Sequence, residues 1–387
     1  MAAVAGVPGG PRRPPGIADV PTYPAGSLLI TDDRNTSFTT ALAYGLAENG
    51  TVLGSSAMSQ CERGDILPNG IVLLGRRTAG FLTHLDFYDT ALALTSTLTV
   101  VNVFGVGATA TAFSPIRGNF SDRFYVAAND EIGVDYPNVR VSYVTAAGAA
   151  GGTIWTIPHP LGGAGVNNRI QSMAPNFTNT ILYYTWSDPG NAYKSPIFRY
   201  DLVNNVALGA WVAADALFTA LETYVLSTGD VLQLYGWSAA GDAQTRVKRF
   251  NSAGVLQETY VLPDNAQDES PAFIGINWGD QSYFWIRTFE DTTPPLAQDE
   301  MSFRKIATVG GAELVYFTEP YPTGSPVTVG VPKSCPLLVI PSDSVCPNRP
   351  TISSGAAGAG AFAAPTASTP TACPGTRPHI TNYGGTT

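Results

Sequence analysis

The stretch that decides the fold runs from residue 282 to residue 320. It reads SYFWIRT (282–288), MSFRKIAT (301–308), the turn Val309-Gly310-Gly311, and then AELVYFTEP (312–320). Runs rich in β-branched and aromatic residues predict strands, and the glycines between them predict a hairpin, because glycine tolerates the positive φ of tight turns. This stretch therefore predicts three consecutive antiparallel strands.

The same order of strand, strand, small-residue turn and strand recurs along the chain. Further turns of this kind lie at residues 48–50, 146–148, 204–205 and 252–254, and a sixth unit over residues 71–100 turns at Asp89-Thr90. A repeat of about 44 to 58 residues is typical of four-stranded propeller blades. We therefore predict an all-β fold, a six- or seven-bladed β-propeller. The alternatives are a multi-sheet β-sandwich and a β-solenoid.

Changes in composition divide the chain into three parts. Residues 1–26 are rich in Pro and Gly and predict an extended N-terminal arm, residues 27–322 hold the repeats, and residues 323–387 predict an extended low-complexity C-terminal tail. A seventh blade would form if residues 326–331 paired with an early strand. Residues 214–221 are the most helix-like stretch and predict two turns of surface helix.

The charge balance argues against two classes of partner. The net charge is −9, whereas binding to nucleic acid needs a basic face. No run of about 18 apolar residues occurs, so we expect no membrane insertion. The N-terminal residues also lack the order of a signal peptide, which leads us to expect synthesis and retention in a cytoplasm until release.

No catalytic constellation or cofactor site is predicted. Residues 105–110 match G-x-G-x-x-A, but the Thr-Ala-Phe-Ser-Pro that follows is a poor helix start, so we interpret them as a link between blades. Gly236-Trp237-Ser238-Ala239-Ala240 lacks the last glycine of a nucleophile elbow. The three histidines are interpreted as surface or packed residues: His84, His159 and His379.

The acidic clusters and the cysteines are the candidates for metal and disulfide chemistry. Acidic clusters at residues 32–33, 264–269 and 299–300 lack the spacing of a recognised calcium loop, and we predict no metal site there. Three cysteines each precede a proline in the tail: Cys335, Cys346 and Cys373. Cys335 and Cys346 are the candidate disulfide pair, with Cys61 and Cys373 remaining; the alternatives are four reduced thiols or a zinc site with His379.

Exposed tryptophans could stack on sugar rings. The candidates are Trp186, Trp211, Trp237, Trp278 and Trp285. Because most lie within strands, we favour core packing for them. A carbohydrate-binding propeller that recognises host surface glycans is therefore the alternative function, and a propeller hydrolase or lyase is the second.

Taken as a whole, the chain resembles minor structural proteins of tailed bacteriophages. The features that carry the resemblance are low-charge Gly/Ala/Thr-rich β-repeats between a proline-rich arm and a low-complexity tail. In these features the chain is similar to propeller-bearing tail, nozzle or fibre components. It implies a non-enzymatic virion protein present in multiple copies in a symmetric assembly. It also implies that the arms attach to other virion proteins while propeller loops face the host.

Overall fold

Each repeat of the sequence lies in a separate antiparallel sheet, and five of the six sheets in the described residues have four strands while the other has five. The computed structural model describes residues 23–32, 41–58, 61–78, 81–105, 108–109, 115–130, 138–158, 169–187, 194–215, 218–236, 245–262, 273–290, 300–320 and 337–341. Within them lie six sheets, which we call blades 1 to 6 in chain order. In blades 2 to 6 the strands follow the chain from the innermost, strand 1, to the outermost, strand 4.

The bounds of the strands follow the predicted units closely. Blade 2 holds β4 (Cys61–Ile66), β5 (Val72–Thr78), β6 (Phe81–Tyr88) and β7 (Leu94–Thr99). Blade 3 holds β8 (Ala108–Thr109) and β9 (Ile116–Gly118), which both pair with β10 (Arg123–Asp130), then β11 (Asn138–Thr145) and β12 (Ala150–Pro158). Blade 4 holds β13 (Arg169–Pro175), β14 (Ile181–Ser187), β15 (Ile197–Asp201) and β16 (Val206–Val212).

Two more blades complete the regular series. Blade 5 holds β17 (Thr219–Val225), β18 (Val231–Gly236), β19 (Arg246–Phe250) and β20 (Leu256–Val261). Blade 6 holds β21 (Phe273–Ile276), β22 (Tyr283–Glu290), β23 (Glu300–Ala307) and β24 (Glu313–Pro320). All six residues of β18 are buried, so both faces of this second strand pack against other parts of the propeller.

Blade 1 is assembled from two distant parts of the chain. It holds β1 (Leu28–Asp32), β2 (Ala41–Leu46) and β3 (Val52–Met58), and its innermost strand is β25 (Leu337–Val339), which pairs antiparallel with β1. The propeller therefore includes a segment that the sequence analysis placed in the 323–387 tail. Residues 326–331, which were expected to pair with an early strand, lie outside the described residues.

The inner strands close a ring. They contact one another in the order β25, β4, β9, β13, β17 and β21, and β21 contacts β25 again. Gly275 in β21 permits this last approach, since a Cβ there would lie 2.9 Å from Val339 Cγ2. The protein is thus a six-bladed β-propeller, which confirms the predicted fold class and selects six blades.

The two ends of the disc differ in their connections. Turns between strands 1 and 2 and between strands 3 and 4 lie at one end, which we call the tight-turn face, and each spans four to six residues. Each of the six outer hairpins has a register shift beside its turn. Gly50, Gly254 and Gly310 take a positive φ there, as the predicted turns require. The opposite end, which we call the long-loop face, carries the connections from strand 2 to 3 and from blade to blade.

Helical structure is minor in the described residues. A helix, α1 (Val100–Phe104), follows β7, and Thr99 caps it by accepting a hydrogen bond from the Asn102 N–H at 3.2 Å. The prediction of a helix over residues 214–221 is wrong, because Thr219 begins β17, the inner strand of blade 5. No helix of the described ranges is both long and apolar enough to span a bilayer.

Candidate functional site

The propeller axis contains a buried cluster of charges. We define the axial charge cluster as Arg63, Asp65, Arg117 and Glu222. The Arg117 Nη1 lies 3.4 Å from Asp65 Oδ2, and its Nη2 lies 3.6 Å from Glu222 Oε1. The same Glu222 oxygen lies 3.7 Å from Arg63 Nη1. The cluster therefore combines two positive and two negative side chains from blades 2, 3 and 5.

Arg117 also contacts uncharged groups at the axis. Its Nε donates a hydrogen bond to the Met173 carbonyl of blade 4 at 3.4 Å. Its guanidinium carbon lies 3.6 Å from the ring centroid of Tyr224, a cation–π contact with the electron-rich face of the ring. One side chain of blade 3 thus contacts blades 2, 4 and 5.

Backbone amides complete the coordination of the two carboxylates. Asp65 accepts hydrogen bonds from the Gly118 and Ile66 N–H groups at 2.8 and 2.9 Å, and Glu222 accepts one from Ile274 of blade 6 at 2.7 Å. Buried carboxylates are tolerated when such donors replace water. Through these bonds, the cluster ties together five of the six inner strands.

Burial governs how these groups hold their protons. It raises the pKa of Asp65, because desolvation of the carboxylate outweighs the opposing effects of Arg117 and the two amides. Burial alone would lower the pKa of Arg117, but Tyr224, Asp65 and Glu222 together raise it above its ordinary value. Burial also raises the pKa of Tyr224 well above its ordinary value. Arg117 is therefore a permanent cation that holds the centre of the ring together.

Aromatic side chains close the axis at the tight-turn face. The Phe120 ring lies 4.8 Å from the ring of Trp278 and 4.9 Å from that of Phe177 (centroid distances). The Trp278 Nε1–H donates to the Ile66 carbonyl at 2.6 Å. These rings come from the first turns of blades 3, 4 and 6, so the described part of the axis is filled rather than open at this end.

A groove of about 510 Å³ lies between the outer strands of blades 5 and 6. Its carboxylates are paired with arginines: Glu258 lies 3.3 Å from Arg249 Nη2, and Glu313 lies 2.7 Å from Arg304 Nη1. A hydrogen bond from the Tyr260 hydroxyl lowers the pKa of Glu258. A general acid needs a raised pKa, and Glu258 therefore lacks the property of a general acid.

The described tryptophans are mostly core residues. Trp186, Trp278 and Trp285 are buried, while Trp211 is half-buried and packs edge-on against Tyr183. Core packing is confirmed for Trp186, Trp278 and Trp285, and Trp211 is partly buried against the core of blades 4 and 5. Trp237 lies outside the described residues.

The structure leaves several other candidates untested. The pair Cys335 and Cys346 lies outside the described residues, as do Cys373, His159, His379, Ser238 and the clusters at 264–269 and 299. Cys61 lies in β4, and half-buried His84 in β6 contacts the Thr83 hydroxyl through Nδ1 at 2.8 Å.

Within the described ranges, no group of three His, Cys, Asp or Glu side chains could hold a metal. Gly105 ends α1 between blades 2 and 3, so it belongs to an interblade link and not to the start of a helix.

Sequence reasoning missed the axial charge cluster. Arg63, Asp65, Arg117 and Glu222 are charged residues in short inner strands of a chain with only 13% charged residues. That scarcity is the signal that could have identified them, because a charge inside an apolar strand needs a buried partner. Their partners lie one to three blades away and cannot be assigned from local pattern.

No protein-family model and no curated protein matches the sequence. Similar solved structures include a 6-phosphogluconolactonase candidate from Bacteroides fragilis, with a TM-score of 0.43 and 13% identity over 79% of this chain and 83% of that one. The β-propeller domain of the Trilobed protease from Pyrococcus furiosus has a TM-score of 0.35 and 6% identity, covering 52% and 58%. Prolyl oligopeptidase B from Galerina marginata has a TM-score of 0.41 and 10% identity, covering 73% and 39%. All three TM-scores are below 0.5, and we base the fold on the closed ring of sheets itself.

Proposed function

We propose that the protein is a non-catalytic structural subunit that works through contacts with other proteins, as a component of a tailed-bacteriophage virion. The composition of the outermost strands is the observation that supports a structural role through protein contacts. In blades 1 to 4 these strands, β3, β7, β12 and β16, contain no Asp, Glu, Lys or Arg.

Uncharged edge strands need cover. An outermost strand presents unpaired N–H and C=O groups, and natural proteins usually protect such edges with charges, proline or a covering segment. Blades 5 and 6 have this protection, because β20 contains Glu258 and β24 contains Glu313 and Glu319. The edge of blade 3 is uncharged but ends in Pro158, so the contrast within one ring supports a contact role above all for the edges of blades 1, 2 and 4.

Apolar side chains add to the exposed edges. On β16, Val206 and Leu208 are 47% and 41% exposed, and Leu94 on β7 is 57% exposed. Burial of apolar surface contributes roughly 25 cal/mol per Å². A neighbouring subunit placed along these strands would gain both this burial and new backbone hydrogen bonds.

The virion part of the proposal comes from the resemblance described above. Low charge, β-repeats and terminal segments rich in Pro, Gly, Ala, Ser and Thr suit a protein held in multiple copies by its neighbours. The filled axis and the paired carboxylates of the groove support a role in contact rather than in turnover. Buried Trp186, Trp278 and Trp285 do not favour the glycan-binding alternative.

Particles purified from the source of this chain test the proposal. An antibody against the chain should label a fixed position on tailed particles by electron microscopy, and mass spectrometry should find a constant copy number per particle. The proposal fails if purified particles lack the chain. The non-catalytic part fails if the pure protein hydrolyses or cleaves a panel of glycans and lactones at a rate abolished by substituting its own residues.

A further inference from the structure

Both ends of the described chain leave the propeller at the tight-turn face. The Gly26 N–H donates to the Ile340 carbonyl, and the Ile340 N–H donates to the Ser27 carbonyl, both at 2.8 Å. Just before this point, the Tyr23 ring lies against Gly45, where an added Cβ would come within 2.0 Å of the ring. Residues 1–22 and 342–387 are therefore both attached beside blade 1 at one end of the disc.

The turns of this face carry charges of one sign. Between residues 47 and 312, the turns joining strands 1 to 2 and 3 to 4 contain five acidic residues and no Lys or Arg; the five are Glu48, Asp89, Asp122, Asp230 and Asp280. Lys305 pairs with Glu48 and Arg249 with Asp230 from the adjoining strands. Arg123 begins β10 directly after Asp122, so the five acidic side chains face three cations and the face keeps an excess of negative charge.

Exposed apolar side chains surround the same face. Five of the six blades place one beside the turn between strands 3 and 4: Val52, Leu94, Val203, Val255 and Val309, which are 57%, 57%, 69%, 56% and 70% exposed. Single exposed apolar residues are ordinary, but a ring of them at one end of a disc marks an interaction surface.

We infer that the tight-turn face docks onto a partner protein of different sequence, whose contact surface is apolar and carries Lys or Arg opposite Asp89, Asp122 and Asp280. This inference rests on the proposed function as a structural subunit. It also orients the propeller in the assembly, because the long-loop face then points away from the partner protein.

A second copy of the chain and the chain's own terminal segments are less suitable partners for the tight-turn face. A second copy docked through the same face would bring two acidic sets together, and like charges in an interface cost free energy. The terminal segments of the chain itself are made mostly of Pro, Gly, Ala, Ser and Thr, so they have little apolar surface to cover the ring. Complementary charge and apolar burial thus favour a different protein.

Zero-length coupling of carboxylates to amines tests the inference on the native assembly purified from its source. A carbodiimide should join Asp89, Asp122 or Asp280 to lysines of a chain of different sequence, identified by mass spectrometry. The inference is overturned if these carboxylates couple only to lysines of a second copy or to the chain's own N-terminal amine. It is equally overturned if they do not couple at all.

A matched pair of variants gives a second test. Val255→Lys places a positive charge in the turn just before β20, the outer strand of blade 5, and Val261→Lys places one at the long-loop end of β20, where Val261 is 50% exposed. We expect Val255→Lys to reduce retention in the assembly at least tenfold and Val261→Lys to leave it within about twofold. Equal or reversed losses contradict the inference, and thermal unfolding of both variants checks that the propeller is intact.

The two proposals fail separately. If the chain is found in virions but couples through the long-loop face, only the docking inference is wrong. If the chain is absent from virions yet couples through Asp89, Asp122 or Asp280 to a different protein, only the virion assignment is wrong.

Discussion

At the scale of single residues, Arg117 does the most to hold the ring together. It contacts Asp65, Met173, Glu222 and Tyr224 from three other blades. Removing one partner from a buried ion pair leaves an uncompensated charge, which costs more than the pair itself contributes. The stability of blades 2, 3, 4 and 5 therefore depends in part on the same axial charge cluster.

We expect Arg117→Met to lower the free energy of unfolding by about 3–5 kcal/mol, because Asp65 would stay buried without its cation and Glu222 would keep only Arg63. Denaturant unfolding of each variant measures the change. Lys305→Met is the control, because its partner Glu48 is 44% exposed and its loss should stay under about 1 kcal/mol. Equal losses at the two sites would contradict a special role for Arg117.

A second residue-scale prediction concerns Asp201 at the turn of blade 4. Hydrogen bonds from the Asn204 N–H, the Asn204 amide and the Val203 N–H lower the pKa of Asp201. A lowered folded-state pKa gives stability that is present above the ordinary value of 3.8 and is lost as pH falls through the folded-state value.

The thermal midpoint of Asp201→Ala should therefore lie below that of the wild type at pH 7, and the gap should narrow below pH 3.8. Asn251 makes similar turn contacts with the Ala253 and Val255 N–H groups but does not titrate. The gap caused by Asn251→Ala should stay constant over the same range. If the difference in thermal midpoint between the wild type and Asp201→Ala does not change with pH, the ionised carboxylate of Asp201 is not what stabilises this turn.

At the scale of elements, β25 matters more than its three residues suggest. Leu337, Leu338 and Val339 are buried, and they supply the inner edge of blade 1 and the neighbour of β21. Full burial of each side chain contributes about 1.5–3 kcal/mol. Their sum is comparable to the whole stability of a typical domain, about 5–15 kcal/mol.

We expect a chain ending at Pro341 to fold and a chain ending at Pro322 to unfold or aggregate, because only the second lacks β25. Circular dichroism and size-exclusion chromatography distinguish the outcomes. Leu338→Ala in the full chain should cost about 2–5 kcal/mol, which tests the strand without truncation. A folded, monomeric chain ending at Pro322 would show that blade 1 closes without β25.

The elements also show what sequence pattern can and cannot predict. Local signals located the hairpins, because Gly and Asn at the turns and apolar runs beside them depend only on neighbours along the chain. The run Leu337 to Ile340 was visible but was assigned to the tail, since its partner β1 lies far away in sequence. The helix predicted over residues 214–221 was wrong because strand pairing in blade 5 outweighs the local helical preference of these residues.

At the scale of the whole molecule, charge is distributed unevenly over the disc. The edges of blades 1 to 4 are uncharged, the turns of one face are acidic, and the axial charge cluster has equal numbers of positive and negative side chains. The sequence showed the low total charge but not this arrangement, because blade identity and strand position are needed to place each residue on a surface.

We expect Leu208→Lys, on the uncharged edge of blade 4, to block incorporation into the assembly while leaving the thermal midpoint nearly unchanged, because a charge on an exposed edge opposes strand pairing. Gln257→Lys lies on the edge of blade 5, which already contains Glu258, and should incorporate normally. Quantitative mass spectrometry of assembled and free fractions measures both. Normal incorporation of Leu208→Lys would show that the edge of blade 4 does not contact a neighbouring subunit.

The pairing of β25 with β1 also sets the order of events during protein synthesis. Blade 1 has three strands from the start of the propeller, but its inner strand leaves the ribosome only about 300 residues later, and contacts of such long sequence separation form slowly. Blades 2 to 6 can each form from contiguous chain as they emerge. Nascent chains should therefore accumulate with blade 1 open, which makes this blade the site at which chaperones or a wrong copy of β25 would act.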